Sequence, residues 1–292
     1  MDKLLKIIPV LFIASLILMI TYEDAPVMAA QTNSTKTIYP AQNTDTFSAG
    51  INWELVWSDE FDKPELDLSK WTSQVILKPF NEEWQDYNGD PENAYIDNGH
   101  LVIKAIHHGN EHKPRNYTSA RLNTAQKDSW KYGKFAARIQ LPHGPGVWPA
   151  FWMLGDNIDE NGGDMPWPES GEIDIFELYG SKDDAVIEAN IHYDVDGHKQ
   201  MGARHFKLTQ GKFADNFHVF ELEWNSTSMT WRVDGETFHT IAIDEKNMNE
   251  FHQKFFILLN LAVGGTHSGS PDDTTPFPAL MYVDWVRIYQ LK

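Results

Sequence analysis

Between Trp53 and Tyr289 the apolar residues fall in short alternating runs, broken at close intervals by Gly, Pro, Asn and Asp, with little helical periodicity. A side-chain period of two sends one side of each run into a core and the other toward solvent or a ligand. About a dozen such runs, with no linker in the middle and no repeat, predict an all-β sandwich. Two large antiparallel sheets stacked face to face can curve and leave one concave face. Hairpin turns are expected at Asp97-Asn98-Gly99 and at Asp234-Gly235. Phe255 to Val263 reads as a central strand and Asp244 to Lys254 as a short helix. In Val147 to Leu154 the even positions Trp148, Ala150, Trp152 and Leu154 share a face. Two long polar stretches, residues 78–94 and 155–170, read as loops of functional length.

The stretch Gly171-Glu172-Ile173-Asp174-Ile175-Phe176-Glu177-Leu178 carries the chemistry. On a helix, positions i and i+2 lie roughly 200° apart, so Glu172 and Asp174 would not share a face. On a strand they point the same way, about 6.5 Å apart. Glu177 has the wrong parity unless one extra residue is inserted, and a β-bulge at Ile175-Phe176 would bring it into line. Three adjoining carboxyls cannot all ionise freely, so their pKa values are pushed apart. Hydrolysis of a glycosidic bond needs such a set, with one carboxylate as nucleophile and one carboxylic acid to protonate the leaving oxygen. The alternatives are a solvated acidic strand or a cation site.

Length and composition suit one large domain: 292 residues, 41% hydrophobic, with eleven Trp. The Trp excess suits a sugar-stacking surface or core filling. Residues 1–30 read as an export signal, with Lys3 and Lys6, an apolar run from Ile7 to Ile20, and small residues near Ala29-Ala30. About 14 apolar residues is short for a membrane span, the alternative being an uncleaved anchor. A secreted or periplasmic location follows. Residues 31–50 read as a disordered leader and 51–292 as the catalytic domain. With no cysteine, the fold rests on its core or on a metal ion. A net charge of −18 argues against nucleic acid, anionic membrane or a polyanionic substrate as partner. A monomer is expected.

Several separated motifs resemble glycoside hydrolase family 16, and within it the bacterial endo-β-1,3-glucanases or laminarinases. They are Val147-Trp148-Pro149-Ala150-Phe151-Trp152-Met153-Leu154 and Gly171 to Glu177, together with Trp57-Ser58-Asp59-Glu60-Phe61, Asn260 to Gly265, and Asp284-Trp285-Val286-Arg287-Ile288-Tyr289. The resemblance runs from about Trp53 to Gln290. It implies a β-jelly-roll with a substrate groove, and hydrolysis of β-glucan with retention of configuration. Carried onto matching positions, Glu172 would be the nucleophile, Glu177 the acid and then the base, and Asp174 the group that tunes them. Trp148, Trp152, Trp167, Arg121, Asn93 and His192 match groove positions that contact sugar. The resemblance implies no cofactor for catalysis but a structural Ca²⁺ held by Glu60, the Gly99 carbonyl and Asp284. One departure is visible: after Gly264-Gly265 relatives commonly carry a Trp, where this chain has Thr266-His267. Same-fold alternatives are a mixed-linkage β-1,3-1,4-glucanase or an agarase-type galactanase. A non-catalytic glucan-recognition module of the same shape is the alternative of a different class.

Overall fold

The computed structural model describes residues 44–292. The export signal of residues 1–30 and the leader as far as residue 43 lie outside the described residues. Eighteen strands are present among them. They are β1 (Trp53–Asp59), β2 (Thr72–Ser73), β3 (Val75–Ile76), β4 (Gln85–Asn88), β5 (Ala94–Asp97), β6 (His100–His107), β7 (Tyr117–Ser119), β8 (Arg121–Asn123) and β9 (Gly133–Gln140). There follow β10 (Val147–Gly155), β11 (Glu172–Glu177), β12 (Val186–Asp194), β13 (His198–Lys207), β14 (His218–Trp224), β15 (Ser228–Val233), β16 (Glu236–Ala242), β17 (Phe255–Val263) and β18 (Ala279–Leu291). They exceed the dozen expected because β2, β3 and β7 are pieces of two or three residues, too short to show alternation, and because β13 is mostly exposed and carries few apolar residues. β4 likewise lies inside the stretch read as a plain loop, residues 78–94. The helix expected within 244–254 shrinks to a single 3₁₀ turn, Asn249–His252.

One sheet has seven strands in the order β13-β12-β11-β10-β17-β8-β2, and eleven strands form the other. The odd positions of β17, Phe255 through Val263, join Val147, Phe151 and Met153 of β10 in one core against the larger sheet. The even positions, Phe256, Leu258, Asn260 and Ala262, belong to the opposite face with Trp148, Trp152 and Leu154. That opposite face lines a groove. Both expected hairpin turns form, with Asn98, Gly99, Asp234 and Gly235 all at positive φ, as a two-residue turn of this hand requires.

The leader ends earlier than the sequence suggested. Asp45 accepts a hydrogen bond from Trp285 Nε1 at 3.0 Å, and the Phe47 ring lies 5.2 Å from that of Trp285. The Ala49 carbonyl accepts one from Lys134 Nζ at 3.3 Å. Residues 44–50 thus belong with the domain, held by contacts to β18 and β9 that no local composition reveals.

Candidate active site

The catalytic geometry begins with two large apolar neighbours. Ile175 and Phe176 are both buried in the core, although a regular strand would send them to opposite faces. The conflict is resolved by a bulge. Phe176 pairs with Phe151 but Asp174 with Trp152, so one residue of β11 has no counterpart on β10. On the other side, Asp174 pairs with Asn190 and Glu177 with Glu188, again with one residue extra. Burying either side chain stabilises the fold by about 1.5–3 kcal/mol, against about 1 kcal/mol for a disturbed ladder bond, so the bulge wins. Trp231, from β15 of the other sheet, donates its Nε1–H to the Asp174 carbonyl at 2.9 Å within the core. The bulge therefore puts Glu172, Asp174 and Glu177 on the groove face, as the parity argument requires.

Trp231→Phe removes the N–H donor together with one of the two fused rings, leaving the Asp174 carbonyl unsatisfied and a small void beside it. The expected penalty is about 1–3 kcal/mol, or roughly 3–10 °C in Tm for a domain of this size. Because that carbonyl sits between the acids, kcat should fall more than KM changes. Differential scanning fluorimetry with initial-rate kinetics reads both, and an unchanged kcat would mean that the bulge holds its shape without this bond.

Each acid has its own partners. Glu172 accepts Trp167 Nε1–H at 2.9 Å. Glu177 accepts Trp148 Nε1–H on Oε1 at 2.9 Å and the Tyr179 hydroxyl on Oε2 at 2.8 Å. An indole N–H can only donate, whereas a hydroxyl also accepts, so Oε2 is the atom of Glu177 that can carry a proton without losing a bond. Asp174 is 2% exposed, and its Oδ2 has no hydrogen-bond partner. Burial raises all three pKa values, and burial together with the Asp174 charge takes Glu172 to about 8. Asp174 is the most enclosed, and burial, followed by the charges of Glu177 and Glu188, favours its protonated form. Once Asp174 is neutral, the second-largest push on Glu172 disappears, while the Trp167 bond still favours its charged form. The set thus holds one carboxylate suited to attack and one carboxylic acid suited to donate.

The groove beside these acids has a cavity volume of about 670 Å³. Trp148, Trp152, Trp167, Arg121 and His192 all line it, as expected. Arg121 is also ion-paired: Nη2 lies 2.8 Å from Glu160 Oε1, and the guanidinium lies 5.0 Å above the Trp152 ring. Trp152 Nε1 donates to Asn260 at 2.6 Å, and Asn260 donates to the Tyr87 hydroxyl at 3.1 Å. Asn93 is a correction. It is buried away from the groove, donating to the Lys104 carbonyl at 2.8 Å and to Thr118 at 3.3 Å, and it pins β6 in place. At the departure from the family pattern, His267 takes the indole's place, its ring 5.2 Å from Trp148 and 5.7 Å from Tyr179.

The positions expected to hold calcium have protein partners of their own. The Glu60 carboxylate accepts Arg287 Nε at 2.9 Å and Nη2 at 2.8 Å. Asp284 accepts Arg138 Nη1 at 2.5 Å and lies 3.5 Å from His100 Nε2. Carboxylates paired with arginines offer a cation little net negative charge, so this set does not fit a structural Ca²⁺.

Sequence reading missed Tyr179, Glu83, Tyr87, Glu188, Asn190, His198 and Asn260, which meet the acids or line the groove. Tyr179 was detectable, being two residues beyond Glu177 and hence on its face. The others arrive from separate strands and loops. Gly264 explains how the 78–94 segment reaches the groove: at φ 73°, a Cβ there would meet the Trp84 indole at 2.5 Å. Trp84 N donates to the Val263 carbonyl at 2.7 Å, which brings Phe80, Asn81 and Glu83 to the groove edge.

The family model for Glycosyl hydrolases family 16 matches residues 80–287. The chain belongs to glycosyl hydrolase family 16. It is 38% identical to a β-glucanase of Rhodothermus marinus over 258 residues, 85% of this chain and 88% of that one. It is 34% identical to glucan endo-1,3-β-glucosidase A1 of Niallia circulans, over 85% of this chain and 39% of that longer relative. Among solved structures, the laminarinase catalytic domain of Thermotoga maritima superposes with a TM-score of 0.71 at 37% identity, covering 83% of this chain and all of that one. As a family 16 member it is a β-sandwich hydrolase of glycosidic bonds.

Proposed function

We propose that this family 16 hydrolase is an exported endo-β-1,3-glucanase that cleaves laminarin-type chains with retention of configuration. The observation that carries the reading is the intact set Glu172, Asp174 and Glu177 on one bulged strand, in a chain similar to endo-1,3-β-glucosidases and laminarinases. Glu172 attacks the anomeric carbon, and Glu177 gives its Oε2 proton to the leaving oxygen. The glycosyl ester on Glu172 is then opened by a water that Glu177, now a carboxylate, deprotonates. Asp174 holds its proton beside Glu172 and limits the negative charge there. The indoles of Trp148, Trp152 and Trp167 offer faces for pyranose rings. The sequence of residues 1–30 supports export, and a single chain carries all three acids and the groove.

Tolerance of mixed linkages is a second reading. A non-specific endo-β-1,3(4)-glucanase of family 16 superposes with a TM-score of 0.70 at 29% identity. A β-1,3-glucan-binding protein of Penaeus monodon is also similar, at 29% identity, but the three acids support catalysis here. Incubation with laminarin, barley mixed-linkage glucan and agarose, with products resolved over time, tests the proposal. A ladder of short oligosaccharides from laminarin is expected, with slower release from the mixed-linkage chain. Products from agarose alone would move the specificity to galactan, and release of a single small sugar from the start would make the action exo.

A further inference from the structure

In the groove His192 Nε2, Glu172 Oε1 and Asp174 Oδ2 face one another. His192 Nε2 lies 3.7 Å from Glu172 Oε1 and 3.6 Å from Asp174 Oδ2, and all three lie within 4.8 Å of one another. The protonation of His192 follows from its surroundings. Asn190 Oδ1 accepts two backbone N–H groups, from Ile191 at 3.0 Å and Ala203 at 3.4 Å, so the amide orientation is fixed. Its Nδ2 therefore presents a hydrogen to His192 Nε2 at 3.2 Å. That makes Nε2 the lone-pair nitrogen of a neutral ring and Nδ1 the protonated one. Nδ1–H then donates to His198 Nε2 at 2.9 Å. A lone-pair imidazole nitrogen and two carboxyl oxygens, one of them the buried Asp174 Oδ2 with no hydrogen-bond partner, thus lie within 4.8 Å of one another.

We infer that Glu172, Asp174 and His192 form a reversible binding site for a divalent transition-metal ion, Zn²⁺ above all, and that its occupation blocks hydrolysis. Donors on a tetrahedral zinc with bonds of about 2.0–2.1 Å stand roughly 3.3–3.4 Å apart, so small side-chain shifts close the site. Nitrogen and oxygen donors suit zinc better than calcium, whose shell is larger and all oxygen. His198 supplies the hydrogen-bond acceptor that typically steadies a ligating imidazole through its other nitrogen. A fourth position opens to the groove. Zinc enters as the Asp174 proton leaves, so charge and atoms balance. The bound ion takes the Glu172 oxygens out of reach of the anomeric carbon. That last consequence rests on Glu172 being the nucleophile; the binding itself does not.

Isothermal titration of the metal-free full chain with ZnCl₂, without substrate, tests the site apart from the catalytic reading. One zinc per chain is expected at the tightest site. Asp174→Asn and His192→Ala should each weaken that site at least about tenfold, and His198→Ala by about ten- to a hundredfold. Each variant's Tm is checked first, and His205→Ala, on the exposed strand β13, should leave the affinity unchanged. No binding by the wild-type chain at 1 mM (a limit of roughly −4 kcal/mol) would overturn the site. Equal affinity in Asp174→Asn and His192→Ala would do the same. In laminarin assays zinc should inhibit and EDTA should restore the rate. Zinc bound with full activity would spare the site and remove Glu172 as nucleophile.

Discussion

Glu172→Gln is expected to lower laminarin turnover by at least about 10⁴-fold while folding and oligosaccharide binding stay close to wild type. The amide matches the carboxylate in shape, and its Oε1 can still accept the Trp167 Nε1–H that now reaches Glu172 at 2.9 Å. What it lacks is nucleophilicity, and no adjacent group can make up for it. Asp174 is buried at 2% exposure and is held as a protonated acid, and Glu177 is the proton donor for the same step. The variant should not be less stable. Burial, the largest cause, raises the Glu172 pKa to about 8, so a neutral side chain suits that position at least as well. Initial rates on laminarin, a thermal melt and a laminari-oligosaccharide titration separate the three effects. Turnover within tenfold of wild type would place the nucleophile on another residue.

The parts of this molecule that could be read from its sequence are those set by local periodicity. The face assignment of Trp148, Ala150, Trp152 and Leu154 is correct because a strand has a fixed period of two and the core takes one side. The bulge was legible for a related reason: Glu177 had the wrong parity, and only an inserted residue could mend it. The sequence could not show why the bulge is tolerated, since the bond from Trp231 to the Asp174 carbonyl spans 57 positions. Long-range partners also bear on two expectations. Asn93 looked like a polar loop residue near a groove, but its amide is used up on Lys104 and Thr118. Glu60 and Asp284 have the oxygen atoms a calcium ion needs, yet Arg287 and Arg138 reach them first. The electrostatics show the same division. That three acids must differ in pKa followed from their spacing. Which of them keeps its proton depends on burial and on Glu188 across the β11–β12 ladder.

Glu177→Gln should separate the two halves of the reaction. On laminarin the departing sugar hydroxyl is a poor leaving group and needs the Oε2 proton, so kcat is expected to fall by about 10²–10⁴-fold. An aryl laminari-oligosaccharide with a dinitrophenolate leaving group needs no such proton. Its first step should run near the wild-type rate, because Glu172 keeps its bond from Trp167 and its place on β11. The second step then stalls, since the amide that replaces the carboxylate cannot deprotonate water. A burst of dinitrophenolate followed by slow turnover is expected, with the glycosyl ester of Glu172 visible by intact-protein mass spectrometry. Azide, an anion that needs no deprotonation, should restore turnover where water cannot. The Trp148 and Tyr179 bonds make the substitution conservative, because the amide can still accept the indole N–H on its oxygen and donate to the hydroxyl from its nitrogen. If the aryl substrate loses as much rate as laminarin in the first step, Glu177 is not the acid. Glu188, whose Oε2 lies 2.9 Å from His205 Nε2 on the neighbouring strand, would be the next carboxyl to test.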